Sequence, residues 1–438
     1  MDSSTKCPDA PTSQISHTRT PKTLRKQDIK TLALSSLGGT LEFYDFIIFI
    51  FFASVIAHLF FPASLDPFWS TLNTYGTFAA GYFARPLGGV IMAHFGDRNG
   101  RKNMFMLSIL LMVIPTFVVG ILPTYESIGY LAPIILLLVR ILQGIAIGGE
   151  LPGAWVFISE HVPKKHLGFA IGILTGCVVG GILLGSIVAF FINLFFTPAQ
   201  ITAFAWRGPF ILGGVFGVIS IFLRSYLKET PIFKEMKASN ALVKLPIKQV
   251  FYKNKTAIFI SAILTWILTG CIIVLLLLIP NFMTQTLQVP QTHIILAQMF
   301  AIFAVAIGCV LSGTLSDLLG LRKMLFIFSV GFSISCVVYL YLLSHQGSVV
   351  AVFSWYIIAG LFAGVMNFTP LVMVSIFPPN VRFSGISFSY NLAYAVFGGL
   401  APIFVVSLFA HAPMWVGYYL GFLGVLGILV SLLWHKRA

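Results

Sequence analysis

The chain has 438 residues, 58% hydrophobic and 9% charged, with a mean hydropathy of +0.95, whereas a water-soluble domain carries about 25% charged residues. That composition excludes a soluble enzyme and requires a membrane interior. A net charge of +14 invites a nucleic-acid reading, which the placement of the charges sets aside.

Residues 1–33, rich in Ser, Thr, Pro and Lys, have no cleavage-like site, and the apolar run that follows is too long for a signal-peptide core. They read as a disordered cytoplasmic tail. Spans of helical length, about 20 residues each, follow at 34–61, 72–95, 104–122, 132–158, 168–195 and 208–227. A basic linker occupies 228–255, and six more spans lie at 256–280, 293–316, 324–343, 350–376, 384–410 and 413–434, before a tail at 435–438. The apolar runs are unbroken, which excludes an outer-membrane barrel with its alternating strands.

Of the 27 Lys and Arg residues, 24 lie in the N-terminal tail, the C-terminal tail or an even-to-odd connection, with Arg224 counted in the linker. Arg207 alone sits in an odd-to-even connection, and Arg85 and Arg140 are inside spans. The positive-inside rule then places both termini and the linker in the cytoplasm. The positive charge is membrane topology, with no nucleic-acid partner. The scattered cysteines show no metal-ligand spacing and read as small packing residues, and no metal is expected.

The second span carries Arg85 in Phe83-Ala84-Arg85-Pro86-Leu87-Gly88-Gly89 and ends in the loop Gly96-Asp97-Arg98-Asn99-Gly100-Arg101-Lys102. An echo, Ser316-Asp317 through Gly320 to Arg322-Lys323, follows the eighth span 220 residues later. A second echo pairs Pro163-Lys164-Lys165-His166-Leu167-Gly168 with Pro379 through Arg382 to Gly385 at an offset near 217. Two echoes at one offset mean duplication. Six spans, a linker and six spans is the layout of a transporter whose halves rock about a midplane site.

With those residues in view, the chain resembles the major facilitator superfamily and, within it, the metabolite:proton symporters that carry proline and betaine, citrate, 2-oxoglutarate or shikimate. The resemblance runs through Leu41-Glu42-Phe43-Tyr44-Asp45-Phe46, Arg140-Ile141-Leu142-Gln143-Gly144 with Gly148-Gly149-Glu150, Trp206-Arg207-Gly208-Pro209-Phe210, Leu227 to Phe233, and Arg382 through Tyr390-Asn391-Leu392 to Gly399. It implies twelve helices in two six-helix bundles, no cofactor beyond the proton gradient, a monomer, and a bacterial-type inner (plasma) membrane location. The sequence departs from that pattern at Phe43, Pro152, Ser375, Leu318 and Leu321.

Each ionised group at a helix centre costs roughly 2.5–3.5 kcal/mol, so charges inside spans mark function. Five stand out: Glu42, Asp45, Arg85, Arg140 and Glu150, all in the first half. Glu42 and Asp45, three apart, share a helix face. Two carboxylates that close are hard to keep both ionised, so one of them is a proton carrier; the alternative is a boundary acid paired with a basic loop. Arg140, Gln143, Ile147 and Glu150 fall within about 80° of arc and make one face of span four polar. That face serves proton coupling, as the resemblance implies for the arginine, or holds neighbouring helices.

Arg85 is the candidate for holding a substrate carboxylate bidentately, or it pairs with Glu42 or Asp45. Tyr44 is a hydrogen-bonding wall of the site or an interfacial aromatic. In the second half the inward chemistry falls to neutral groups such as Asn281, Gln298, Asn367, Tyr390, Asn391 and Tyr394. Asp97 lies at a helix C-terminus, which the helix dipole disfavours, so basic residues or a helix N-terminus of the opposing bundle should stabilise it. With Gly96, Arg98, Gly100, Arg101, Lys102, Glu160, Asp317 and Arg382 it forms a candidate cytoplasmic gate.

The glycine pairs at 180–181 and 213–214 read as close helix packing, because no phosphate-binding GxxxxGK[ST] sequence occurs. The expectation is a proton-coupled importer of a small hydrophilic metabolite, an organic acid or a zwitterion. The rivals are a proton-antiport exporter of amphipathic or metal-chelating compounds, and a receptor that binds without transporting.

Overall fold

The computed structural model describes residues 23–62, 64, 67–239 and 246–433. Both distal tails, Cys7 and part of the linker therefore lie outside the described residues. Twelve long helices follow one another: α1 (Lys26–Phe51), α2 (Pro67–Asn99), α3 (Arg101–Ile121), α4 (Leu131–His161), α5 (Leu167–Phe195), α6 (Arg207–Ser225), α7 (Lys255–Thr286), α8 (Gln291–Leu319), α9 (Leu321–Ser344), α10 (Val349–Ile376), α11 (Pro379–His411) and α12 (Pro413–Leu433). A helix satisfies all its interior backbone groups internally, the condition for crossing hydrocarbon. Among the described residues eleven of these are long and apolar enough to span a membrane. The twelfth is α2, whose sequence includes Arg85, Asp97 and Arg98.

Two details differ from the reading of the sequence. The first span breaks at Phe52, and a short helix, Ala53–Phe60, follows; it turns so that Phe52 and Phe60 meet Phe210 and Trp206 edge to face at 6.3 and 5.5 Å. The linker contains two short helices, Pro231–Ala238 and Pro246–Lys253. Thr230 caps the first, its hydroxyl accepting from the Phe233 N–H at 3.2 Å, with Pro231 at the first helical position. Buried Phe233 and Val250 anchor the pair.

Helices α1–α6 and α7–α12 form two bundles whose main contacts with each other are α5 against α8 and α2 against α11. The duplication predicts this crossing pattern, since α2 and α8, like α5 and α11, are repeat equivalents. The repeat is also written in the backbone: Gly100 and Gly320, 220 residues apart, end α2 and α8 with φ of 114° and 96°, a region that favours glycine. Along α2 the exposed residues Phe83, Leu87, Ile91 and Phe95 recur every four positions and face lipid. The opposite face carries Tyr82, Arg85 and Gly89 inward.

Candidate functional site

The site begins with how closely α2 and α4 approach. A Cβ on Gly144 would strike the Gly81 carbonyl, and one on Gly148 would strike the Arg85 carbonyl. The two backbones run in contact, and Arg85 is driven under the second bundle instead of into lipid. Its guanidinium is 1% exposed and lies 4.0 Å from the ring centre of Tyr394, 5.3 Å from Tyr390 and 5.6 Å from Tyr82, a cation–π cage. Tyr82 and Tyr394 stack across the bundle boundary at 5.3 Å with 8° between planes, and Trp155 meets Tyr390 edge-on at 4.8 Å.

Arg85 Nε donates to Asn391 Oδ1 at 3.3 Å, while Nη2 is buried with no acceptor among the described residues. No carboxylate among them pairs with Arg85, so the pairing with Glu42 or Asp45 does not occur. Among the described residues it has no carboxylate counter-charge. A cavity of about 750 Å³ opens on the side of the molecule away from the chain termini. Thr77, Tyr82, Ile134, Ile273, Gly398 and Ile403 contribute to its lining, and Tyr82, which stacks on Tyr394 and lies against Arg85, separates the guanidinium from it.

The Glu42–Asp45 couple divides. Asp45 is 1% exposed, neither of its oxygens has a donor among the described residues, and Oδ1 rests where a Cβ on Gly213 of α6 would stand. The same Gly213 meets Thr116 of α3. Thr116 Oγ1 accepts from Gln143 Nε2 at 2.8 Å, and Gln143 Oε1 accepts from Arg140 Nη1 at 2.7 Å. A chain of polar side chains thus leads from Arg140, lodged over Phe46 and Phe49 at 4.8 and 4.3 Å, to the wall beside Asp45. Tyr44 turns away from any central space and donates to the Pro209 carbonyl at 2.9 Å.

Glu42, one turn earlier, has a different partner. Arg224 Nη2 donates to Glu42 Oε2 at 2.7 Å and to Glu150 Oε1 at 3.1 Å, and Ser220 Oγ donates to Glu42 Oε1 at 2.7 Å. All three charged side chains are 3% exposed or less. Counting Arg224 with the linker was wrong: it belongs to the last turn of α6, facing inward. The available signal was periodicity, since Gly213, Gly217, Ser220 and Arg224 recur at four-, three- and four-residue spacing along one face of α6.

At the end that carries the termini, the bundles are joined. Asp97 Oδ2 accepts from the Ser384 N–H at 3.0 Å and its hydroxyl at 2.8 Å, so a carboxylate at the C-terminal end of α2 meets the N-terminal end of α11. Its repeat equivalent Asp317 accepts from the Gly168 and Phe169 N–H groups at 2.8 Å each, at the start of α5. Arg382 Nη1 pairs with Glu160 at 3.3 Å, and Phe383 occupies the space a Cβ on Gly96 would need.

Other predicted residues face their own bundle. Lys102 donates from its N–H to Glu229 at 3.2 Å and from Nζ to the Ser225 carbonyl at 3.3 Å. Arg98 contacts His94 at 3.4 Å. The Arg101 side chain lies outside the described residues. Asn367 donates to Ser312 at 3.3 Å and is not part of the Arg85 cluster. Gln298 donates to the Leu276 carbonyl at 2.7 Å, supporting a π-helical stretch of α7, Gly270–Leu278.

Comparison with known proteins agrees with this architecture. The family profile described as Major Facilitator Superfamily matches residues 35–402. A "Putative proline/betaine transporter" of Staphylococcus aureus (strain COL) is 30% identical over 423 residues, 94% of this chain and 89% of that protein. The "Inner membrane metabolite transport protein YhjE" of Escherichia coli (strain K12) is 30% identical over 419 residues, 93% and 94%. The solved proton:xylose symporter XylE bound to 6-bromo-6-deoxy-D-glucose superimposes with a TM-score of 0.78 at 16% identity, covering 92% of this chain and 94% of that one, which speaks to the fold alone. Duplicated six-helix halves, the crossed α2–α11 and α5–α8 seams and these matches establish that the chain belongs to the major facilitator superfamily and is a multi-pass membrane transporter, not an enzyme.

Proposed function

We propose that the protein is a proton-coupled symporter that imports a small carboxylate-bearing metabolite, an organic acid or a zwitterion of the proline or betaine type, by alternating access. One observation carries this reading: a guanidinium, Arg85, is buried at the bundle boundary behind Tyr82, which lines an open cavity, with no carboxylate among the described residues to neutralise it. A ligand carboxylate supplies that charge, bidentately, and the tyrosines around it exclude water. The "proline/betaine transporter" relatives favour a ligand of this class.

Asp45 is the proton carrier in this scheme. A buried carboxylate without donor or cation is not easily held ionised, so it takes a proton from outside and yields it once the bundles have moved. The Arg140–Gln143–Thr116 chain is suited to stabilise the ionised form after a small shift. With the lysine-rich termini in the cytoplasm, the contacts of Asp97, Asp317 and Arg382 are the cytoplasmic gate in its closed form. The protein works as a monomer in the inner membrane and needs only the proton gradient.

The test is uptake into proteoliposomes under an imposed proton gradient, with glycine betaine, L-proline, citrate and 2-oxoglutarate as probes. Import predicts accumulation in right-side-out vesicles driven by external acidity. Accumulation confined to inverted vesicles would overturn it in favour of export, and binding without proton-dependent flux would indicate a receptor.

A further inference from the structure

Asn391 was expected to contact substrate, yet its hydrogen-bonding capacity is committed within the protein. Its Nδ2 donates to the Gly148 carbonyl at 2.6 Å and to the Ser387 carbonyl at 2.8 Å, and its Oδ1 accepts from Arg85 Nε at 3.3 Å. Both amide protons are used. Asn391 is 0% exposed, and its Nδ2 occupies the space a Cβ on Gly89 would fill, so any side chain at that position on α2 would expel it. One residue of the second bundle thus grips three points of the first: the Arg85 side chain, the α4 backbone at Gly148 and the α2 surface at Gly89.

This grip sits midway along the α2–α11 seam. On the terminal side the seam continues through Phe383 against Gly96 and Ser384 on Asp97; on the other side it ends at the Tyr82–Tyr394 stack, where the cavity begins. Beyond Asn391, α11 departs from α-helical geometry over Tyr394–Gly398 in a π-helical turn, a local distortion frequent at functional sites. For the terminal side to open, the three contacts of Asn391 must break together.

We propose that Asn391 is the intramembrane latch between the bundles, and that a ligand carboxylate opens it by taking Arg85 Nε and Nη2 as a bidentate pair. The ligand then replaces Asn391 Oδ1 on Nε, the α11 side chain loses its charged partner, and only the Gly148 and Ser387 bonds remain to hold it. The second half of this proposal rests on reading Arg85 as the carboxylate site; the first half does not. Asn391 is therefore a positioning residue that couples occupancy at Arg85 to bundle separation, and not a ligand contact.

The test needs no ligand for its first part. Spin labels on cysteines introduced at Tyr226 and Leu318, exposed positions of the first and second bundles, report bundle separation at the terminal end in a background without the native cysteines. Asn391→Ala should raise the separated population about fivefold, the shift expected from one net hydrogen bond. Gly89→Ala, whose methyl takes the space of Asn391 Nδ2, should raise it likewise. Loss of folding is read separately, since both variants should stay monodisperse on gel filtration and melt cooperatively; Ser387→Ala, which leaves the side-chain bonds to the first bundle intact, should stay near the parent.

Distributions unchanged in folded Asn391→Ala and Gly89→Ala, or Ser387→Ala shifted as far as they are, would overturn the latch. Adding glycine betaine or L-proline then tests the second part. The parent should shift toward separation and Asn391→Ala should respond less, because the bond the ligand displaces is already gone. If Asn391→Ala separates but neither probe moves the parent, the latch holds and the assignment of these ligands fails.

Discussion

Arg224 Nη2 lies 2.7 Å from Glu42 Oε2 and also reaches Glu150, so one buried guanidinium ties α1, α4 and α6 together. Removing one partner of a buried pair leaves an uncompensated charge and costs about 3–5 kcal/mol. Arg224→Met should therefore lower the unfolding temperature of the purified protein sharply, by differential scanning fluorimetry. The triple variant with Glu42→Gln and Glu150→Gln should recover much of it. A single variant as stable as the parent would show that the triad does not hold the bundle.

Asp45→Asn keeps the shape beside Gly213 and removes the titrating group. Proton-driven accumulation in proteoliposomes should fall to background, while exchange of internal for external substrate continues, because exchange needs no net proton movement. Undiminished accumulation would rule out Asp45 as the carrier.

Arg85→Lys retains the charge and loses the planar fork and the stacking on Tyr394. The expected result is a rise in KM of about tenfold or more, equivalent to roughly 1.4 kcal/mol, with less change in maximal rate. Saturation kinetics of uptake check it, and an unchanged KM would remove Arg85 from the binding site.

Asp97→Ala removes the acceptor for both Ser384 donors at the N-terminal end of α11. A carboxylate there contributes about 0.3–2 kcal/mol, enough to shift a closed–open balance several-fold. A cysteine at Phe383, 2% exposed, should then become reactive to a membrane-impermeant maleimide supplied from the terminal side. Labelling no faster than in the Asp97 parent would mean that this contact does not hold the gate.

The sequence by itself determined the class and the layout. Hydropathy at fixed span length leaves few alternatives for a chain that must satisfy its backbone in lipid, and the echo of Asp97 at Asp317 gave the duplication before any coordinate. It also singled out Glu42, Asp45, Arg85, Arg140 and Glu150, because charge in hydrocarbon is rare enough to be noticed one residue at a time. The tertiary structure decided who meets whom. Glu42 and Asp45 share a helix face, yet a turn of helix carries one to Arg224 and leaves the other against Gly213 with no donor among the described residues. Arg224 was hidden by its place at the end of a span, where a basic residue is ordinarily an interfacial anchor. Asn391 lies more than 300 residues from Arg85. Periodicity along one helix fixes which side chains share a face, and only the packing of glycine-lined backbones fixes which face of which helix stands opposite.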